Sequence, residues 1–359
     1  MVNLFKWIKH TVCMVFGLTM LNSTSALHFK GQEIDIKGVS WFGYETNFRL
    51  MHGLWKHDVK FFIDILKNNE FNAIRLPLSI DLIKNHFYDI VTENADPQLR
   101  GKTNQEVFDY LFDICKKNGI MILLDIHTLD VQDISELWYN DRFSEEDVHH
   151  ALHVLVERYK DYPNFLGLDL KNEPHGRTTW CSGDYNTDFR LAIIRFIERL
   201  NSNFPKYQFL YFINGIDWSY NFNNVRNDCI VPISQDRIVY SPHIYGPTIK
   251  RDLNMNYLHE TWDQIFGFMV NDHRNVSVGE WGSFYRTDED KKFMNTFADY
   301  LIQKNIRDNF YWCLNPNSGD TGGLLNDDWD TLIYDKLEVL KRVQPKPTKF
   351  NFENKLLRG

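Results

Sequence analysis

FLGLDLKNEP occupies residues 165–174 and gives the clearest indication of how this chain folds. Apolar side chains dominate the stretch, as is typical of a buried parallel strand, and Pro174 ends it. The strand delivers an amide and a carboxylate, Asn172 and Glu173, to its carboxyl end. Burial of apolar surface does not favour such a pair, so the stretch predicts a buried strand that ends in functional groups.

Other apolar runs with strand character accompany this one, and helical patterns with three- and four-residue spacing fill most of the gaps. Alternating strands and helices form parallel sheets, and eight mostly apolar strands favour a single-domain (β/α)8 barrel, or TIM barrel, over a doubly wound open sheet. One interval is weak, because residues 223–236 show no good helix. The eight runs cover residues 34–43, 71–79, 120–127, 165–174, 209–215, 237–245, 275–282 and 309–316.

Three segments are expected along the 359 residues. Residues 1–26 combine two lysines, a short apolar run and small residues, which predicts a secretory signal peptide cleaved after Ala26 rather than a membrane anchor. Residues 27–345 are predicted to form the barrel, and residues 346–359 a loose C-terminal tail. We therefore expect a secreted, extracellular monomer that does not contact a membrane once the signal is removed.

Charge and composition narrow the possible partners. Removal of Lys6 and Lys9 with the signal would change the formal charge from −8 to −10, which argues against nucleic acid. Ten Trp and seventeen Tyr exceed what a core needs, so some are expected to line a cleft, where aromatic faces can stack on sugar rings.

Zero or one disulfide is expected among the cysteines beyond the signal, which are Cys115, Cys181, Cys229 and Cys313.

The carboxyl ends of parallel barrel strands converge on one mouth, where barrel chemistry takes place. Glu173 and Glu280 come from opposite sides of the predicted barrel and can face each other across it. Glycosidic bond cleavage requires such a pair, because one carboxyl group protonates the leaving oxygen while the other attacks the anomeric carbon or activates water. The other residues that end the runs are Arg75, His127, Asn172, His243, Tyr245 and Trp312.

Two other kinds of site use similar side chains. His127, His243, Glu173 and Glu280 could ligate zinc, but the chain contains no HExxH motif and no His-x-His spacing. A Ser-His-Asp hydrolase is disfavoured because the chain has no G-x-S-x-G sequence. We therefore expect neither a metal nor another cofactor.

These stretches resemble glycoside hydrolase family 5, the cellulase family, and most closely its secreted endoglucanases. The resemblance runs from about Gly31 to Leu340. It is carried by WFGYETNFRLMHGLW (41–55), IRLP with Arg75, LLDIH with His127, NEP (172–174), SPHIY with His243 and Tyr245, GEWG with Glu280, and FYWCLNPNSGDTGG with Trp312.

The resemblance implies a retaining endo-β-1,4-glucanase that hydrolyses internal bonds of a β-glucan by a double displacement. Glu280 would be the nucleophile, kept ionised by Arg75 and Tyr245, and Glu173 the acid/base. Asn172 would hold the sugar 2-hydroxyl. His127 and His243 would orient the carboxylates or the sugar, and Trp312 would be the stacking platform.

Further tryptophans are candidates for neighbouring sugar subsites, namely Trp41, Trp138, Trp180, Trp218 and Trp281. Two alternatives to cellulose hydrolysis stay open. A related β-glycanase would act on mannan, xyloglucan or β-1,3/1,4-glucan, since loop variation changes specificity within one fold. A catalytically inactive carbohydrate-binding protein is disfavoured because both glutamates are present.

Overall fold

The computed structural model describes residues 26–92, 96–131, 133–226, 231 and 233–352. The predicted signal peptide up to Ser25, Cys229 and the last seven residues of the predicted tail lie outside this part of the chain.

Parallel strands form where the eight apolar runs predict them. They are β1 (Lys37–Ser40), β2 (Ala73–Ser79), β3 (Met121–Thr128), β4 (Phe165–Asp169), β5 (Leu210–Ile213), β6 (Ile238–Tyr240 and His243–Tyr245), β7 (Glu280–Gly282) and β8 (Asn309–Tyr311). Hydrogen bonding joins seven of them in the order β8-β1-β2-β3-β4-β5-β6. β7 pairs with the second half of β6, and parallel bridges from Val276 to Tyr240 and from Val278 to Asn309 link its run to both neighbours. The predicted (β/α)8 barrel is confirmed.

Helices cover the outside of the barrel, and several begin at a cap that the sequence encodes. The side chains of Thr103, Ser144 and Thr287 each accept a hydrogen bond from the backbone N–H three residues later. The acidic side chain at that later position accepts a hydrogen bond from the backbone N–H of the cap residue in return. The helices are Val59–Asn68, Asn104–Lys117, Glu145–Tyr159, Phe189–Asn203, Leu258–Trp262, Phe268–Asn271, Asp288–Lys304 and Tyr334–Val343, with π-helical segments Leu82–His86 and Asp263–Gly267 and a 3-10 turn at Pro97–Leu99.

The interval between β5 and β6 contains only short segments among the described residues: Ile216–Ser219 and 3-10 turns at Asn223–Arg226 and Gln235–Arg237. The predicted lack of a good helix there is confirmed. Across the described part of the chain, no helix is both long enough and apolar enough to cross a bilayer.

Alternation along the strands divides their side chains between the barrel interior and the helix layer. In β2, Ala73 belongs to the interior cluster together with Met121 and Leu123 of β3, whereas Ile74 packs outward against the helices. Arg75 follows Ala73 by two residues, so it points into the barrel above this apolar layer. The same alternation places the polar side chains of the site on top of an apolar floor.

Both ends of the described chain close the bottom of the barrel. A hairpin of His28–Phe29 with Gln32–Glu33 brings Phe29 into the interior cluster, and Phe350 and Phe352 pack against that cluster. The backbone N–H of Asp35 donates to Thr348 Oγ1 at 2.8 Å, and the Thr348 N–H donates to the Asp35 carbonyl at 3.0 Å. The predicted loose tail from residue 346 is therefore wrong up to residue 352, because its phenylalanines cover apolar surface.

Cys181 is disulfide-bonded, whereas Cys115 and Cys313 are free and buried. A disulfide is thus present in the loop after β4, within the expected limit of one.

Candidate active site

Glu173 and Glu280 meet at the mouth of the barrel, as predicted. Carboxylate oxygens of both residues and a ring nitrogen of His243 all lie within 4.8 Å of one another. Both glutamates are buried. The backbone of Glu173 is in the left-handed region, with φ of 49°, and its N–H donates to Asn214 Oδ1 at 3.0 Å. This contact fixes the unusual backbone conformation that turns Glu173 toward the partner carboxylate.

Arg75 is a fully buried cation beneath this pair. Its Nη1 donates to Glu280 Oε1 at 2.5 Å, and its Nη2 donates to Asp169 Oδ2 at 2.9 Å and to Asn172 Oδ1 at 2.8 Å. Asp125 Oδ2 lies 3.1 Å from the same Nη2. A buried charge is costly unless it is paired, and the fork of Arg75 pairs three buried carboxylates at once.

Glu280 is bonded from two sides. Arg75 binds Oε1, and the Tyr245 hydroxyl donates to Oε2. Burial raises the pKa of Glu280, and the neighbouring His243 and Arg75 oppose this increase. The two donors stabilise the ionised form that a nucleophile needs.

Glu173 has a different environment. Its Oε1 lies 2.9 Å from His243 Nδ1, and Arg75 does not bond to it. Burial and then the negative charge of Asp320 raise the pKa of Glu173 to about 8. At neutral pH this carboxyl group therefore holds a proton that it can donate.

A cavity of about 680 Å³ opens above the two carboxylates. Trp312 lines it and forms a row of nearly parallel rings with His127, at 5.3 Å between centroids, and with Phe42, at 5.6 Å. His127 Nδ1 lies 2.6 Å from Asp125 Oδ2, and its Nε2 lies 3.4 Å from Asn172 Nδ2. The structure thus brings together every predicted site residue except Trp41.

Trp41 is not available to a substrate. It is fully buried, packs on Phe62 with ring centroids 4.7 Å apart, and donates from Nε1 to the His52 carbonyl. Val39 packs in the outer core, and Trp41 follows it by two residues on the same outward side. The predicted substrate-binding role of Trp41 is therefore wrong.

The other candidate tryptophans are either buried in the core or exposed at the cavity. Trp138 and Trp281 are fully buried and Trp180 nearly so, which makes them core residues. Trp218 lines the cavity, is 49% exposed, and stacks on His175 at 3.4 Å between ring centroids. Of the predicted subsite tryptophans, Trp218 alone combines exposure with a place at this cavity.

Sequence reasoning missed several polar residues of the site. Asp125 orients His127, and Asp169 bonds to both Arg75 and Asn214. Their signal was an acid within an otherwise apolar strand, in LLDIH and in GLDL. Asn214 has the same kind of signal, since it directly follows the apolar β5.

The atoms of Glu173, His243 and Glu280 are also close enough to hold a metal ion in principle. Their existing contacts do not favour this use. Both oxygens of Glu280 already accept hydrogen bonds, and the guanidinium that lies 2.5 Å from Oε1 would repel a second cation.

A parallel barrel with two carboxylates this close at its mouth is the arrangement of an enzyme that cleaves glycosidic bonds. The family model described as cellulase (glycosyl hydrolase family 5) matches residues 30–318. The chain belongs to this family and is a glycoside hydrolase.

The relatives agree with this assignment. The chain is 34% identical to the major extracellular endoglucanase of Xanthomonas campestris pv. campestris, over 91% of this chain and 71% of the relative. It is 34% identical to an endoglucanase of Paenibacillus polymyxa, over 87% of this chain and 83% of the relative.

Solved structures show the same similarity. The catalytic domain of the Xanthomonas enzyme superposes with a TM-score of 0.84 at 33% identity, covering 90% of this chain and 99% of that one. An endocellulase of Pyrococcus horikoshii in complex with cellotetraose superposes with a TM-score of 0.81 at 32% identity, covering 87% and 93%.

Proposed function

We propose that this protein is a secreted endo-β-1,4-glucanase that hydrolyses internal bonds of a β-glucan with retention of configuration. The observation that carries the proposal is the short separation of Glu173 and Glu280, whose nearest polar atoms lie within 4.8 Å. Retaining glycosidases hold their carboxyl groups about 5 Å apart, which leaves no room for a water between carboxylate and sugar. The endoglucanase relatives, one of them extracellular, support both the substrate and the location.

In the first step, an oxygen of Glu280 attacks the anomeric carbon while the bond to the leaving oxygen breaks. Glu173 gives its proton to that oxygen, so the shortened chain leaves as a neutral alcohol. In the second step, the Glu173 carboxylate takes a proton from water, whose oxygen attacks the anomeric carbon and releases Glu280. Two inversions at one carbon retain its configuration.

The environment of each carboxyl group supports these roles. Arg75 and Tyr245 hold Glu280 as an anion, and burial and Asp320 keep the proton on Glu173. Conversion of Glu280 into an ester removes its negative charge, so the pKa of Glu173 falls when Glu173 must act as a base.

The surrounding side chains have roles in binding. Asn172 is held by Arg75 beside the reacting carboxylates, where its amide suits the sugar 2-hydroxyl. His127 lies between Asp125 and Asn172, and Trp312 presents an aromatic face to the sugar ring. Trp218 offers a second, exposed face for a neighbouring unit of the polymer. No metal or cofactor has a role in this scheme.

Reaction with azide distinguishes the roles of the two glutamates. With Glu173→Ala and an aryl cellobioside whose leaving group needs no proton, we expect a burst of phenol, a slow steady state, and acceleration by azide that yields the β-glycosyl azide. With Glu280→Ala we expect no burst, and azide should give the α-glycosyl azide. The same azide anomer from both variants would disprove the assignment.

The natural substrate is tested by viscosity loss and product analysis on carboxymethylcellulose, lichenan and mannan. Rapid viscosity loss on carboxymethylcellulose, with a mixture of oligosaccharides, is the expected result. Preference for mannan would instead identify a related β-glycanase, and binding without hydrolysis would identify an inactive carbohydrate-binding protein. Proton NMR of the first product should show the β-anomer.

A further inference from the structure

Two buried polar atoms lie behind the proposed acid/base. His243 Nε2 and Ser241 Oγ are both buried, and neither has a hydrogen-bond partner among the described residues. Both adjoin Gly279, since a Cβ built on that glycine would lie 2.0 Å from Ser241 Oγ and 2.9 Å from His243 Nε2. Because Gly279 has no side chain, the Ser241 hydroxyl and the His243 ring nitrogen both lie against the same side of its backbone.

The other nitrogen of His243 faces the two carboxyl groups. Its Nδ1 lies 2.9 Å from Glu173 Oε1 and 3.6 Å from Glu280 Oε2. A hydrogen on Nδ1 suits this position, because ionised Glu280 and Oε1 of Glu173 can both accept it. Burial lowers the pKa of His243 to about 4, so the ring is neutral near pH 7 and Nε2 holds a lone pair. A buried acceptor of this kind needs a donor.

We propose that Ser241 is a positioning residue: its oxygen makes no hydrogen bond in the described geometry, and a small turn of its side chain lets the hydroxyl donate to His243 Nε2 and so fixes the Nδ1–H tautomer that holds Glu173. The inference rests on the proposed role of Glu173 as the acid. In this tautomer Glu173 Oε1 accepts from His243, so the acidic proton lies on Oε2 and is free for the glycosidic oxygen. In the other tautomer Nδ1 would accept that proton and withhold it from the substrate.

Gly279 is part of the same arrangement. Any side chain at this position would collide with the Ser241 hydroxyl. Gly279→Ala should therefore disturb the same hydrogen bond from the opposite side.

Leaving-group dependence tests this role. We expect Ser241→Ala to lower kcat/KM about tenfold on phenyl cellobioside, whose leaving group needs a proton, and less than about twofold on 2,4-dinitrophenyl cellobioside. Gly279→Ala should show the same selectivity. Ser277→Ala is the matched control, because Ser277 Oγ is also buried without a partner among the described residues but is not a close neighbour of Gly279. Equal losses on both substrates, or no difference from the control, would overturn the proposal.

A second measurement does not depend on activity. Nitrogen-15 NMR of ring-labelled histidine should show protonated Nδ1 and unprotonated Nε2 for His243, assigned by the loss of its signals in His243→Gln. Ser241→Ala should reduce the Nδ1–H population. A hydrogen on Nε2 in the unmodified protein would refute the proposal, whereas failure of the proposed function would appear as absence of hydrolysis by the unmodified protein.

Discussion

Asp320 is the charged residue that most affects the proposed acid. It lines the cavity, and its negative charge is the largest electrostatic contribution that raises the pKa of Glu173, after burial. Hydrolysis needs Glu173 protonated, so kcat/KM should fall as the pH rises through about 8. Asp320→Asn removes the charge and should move this alkaline limb to lower pH, measured as kcat/KM against pH.

The matched control for this prediction is Asp217→Asn. Asp217 lines the same cavity but is not among the charges that shift the pKa of Glu173. An equal displacement of the alkaline limb by both substitutions would show that Asp320 has no specific effect on Glu173.

Chelation tests whether the carboxylates act without a metal. The Arg75 guanidinium bonded to Glu280 Oε1 would repel a second cation, so EDTA should not change kcat on carboxymethylcellulose. Inactivation that one added divalent cation reverses would contradict this expectation.

For individual residues, the sequence predicted a place in the site correctly where side-chain type and position along a strand are enough to determine it. The glutamates, Arg75 and Trp312 lie in barrel strands or shortly after them, so their convergence at the mouth followed from topology. Trp41 was misassigned because an aromatic residue near a strand end suits either a mouth or a core. Which residues bond to one another, such as Asp169 with Asn214, depends on distances between strands that no local pattern contains.

Among the elements, the loop after β5 has an unusual backbone. Asp217, Trp218 and Ser219 have φ of 55°, 63° and 56°, and the Trp218 N–H donates to the Pro174 carbonyl at 3.2 Å. These constraints present the indole to solvent on the ring of His175.

Trp218→Ala should raise KM for cellotetraose or longer oligosaccharides by about tenfold, because stacking on an exposed indole is lost. The midpoint of thermal unfolding should change little, since about half of the side chain is exposed. A large decrease in the melting temperature with KM unchanged would show that Trp218 stabilises the fold rather than the complex.

The segment Lys346–Phe352 is an element that the sequence pattern assigned to a loose tail. Its alternating phenylalanines were visible in TKFNF, but a contact with the distant barrel floor was not. A chain ending at residue 345 should lose about 2–4 kcal/mol of unfolding free energy, because two phenylalanines leave apolar surface and Asp35 loses its partner Thr348. Urea unfolding would measure the loss.

A chain ending at residue 352 is the control for this truncation, since it keeps every contact described for the segment. Equal stability of the two truncated chains would show that the packing of Phe350 and Phe352 contributes nothing.

The whole molecule buries several carboxyl groups whose pKa values are raised by burial. They include Asp125 and Asp308, at about 7, and Glu45 and Glu173, at about 8. Between pH 6.5 and 8 the folded chain keeps protons on these groups that the unfolded chain has already released. The free energy of unfolding should therefore decrease as the pH rises from 6.5 to about 7.5. Closer to pH 8, Lys37, Lys171 and Lys336, whose pKa values burial lowers to about 8, lose protons in the folded chain first and oppose this decrease.

The buried histidines do not change the sign of this prediction, because their lowered pKa values affect stability only below about pH 6.5. Urea unfolding at several pH values would measure the slope. Glu45→Gln should make the slope shallower, since it removes one titrating group while an amide oxygen can still accept from the Gly43 N–H. A free energy of unfolding that rises with pH, or a slope that Glu45→Gln leaves unchanged, would contradict this account.

The hydrogen bonds between Asp35 and Thr348 tie both ends of the described chain together beneath the apolar floor, on the face opposite the carboxylates. Anything attached there, whether a surface linker or a fused protein, would extend away from the opening through which the polymer enters. Immobilisation through either end should therefore leave the mouth facing outward, and a short peptide joining the two ends would offer a route to circular permutation.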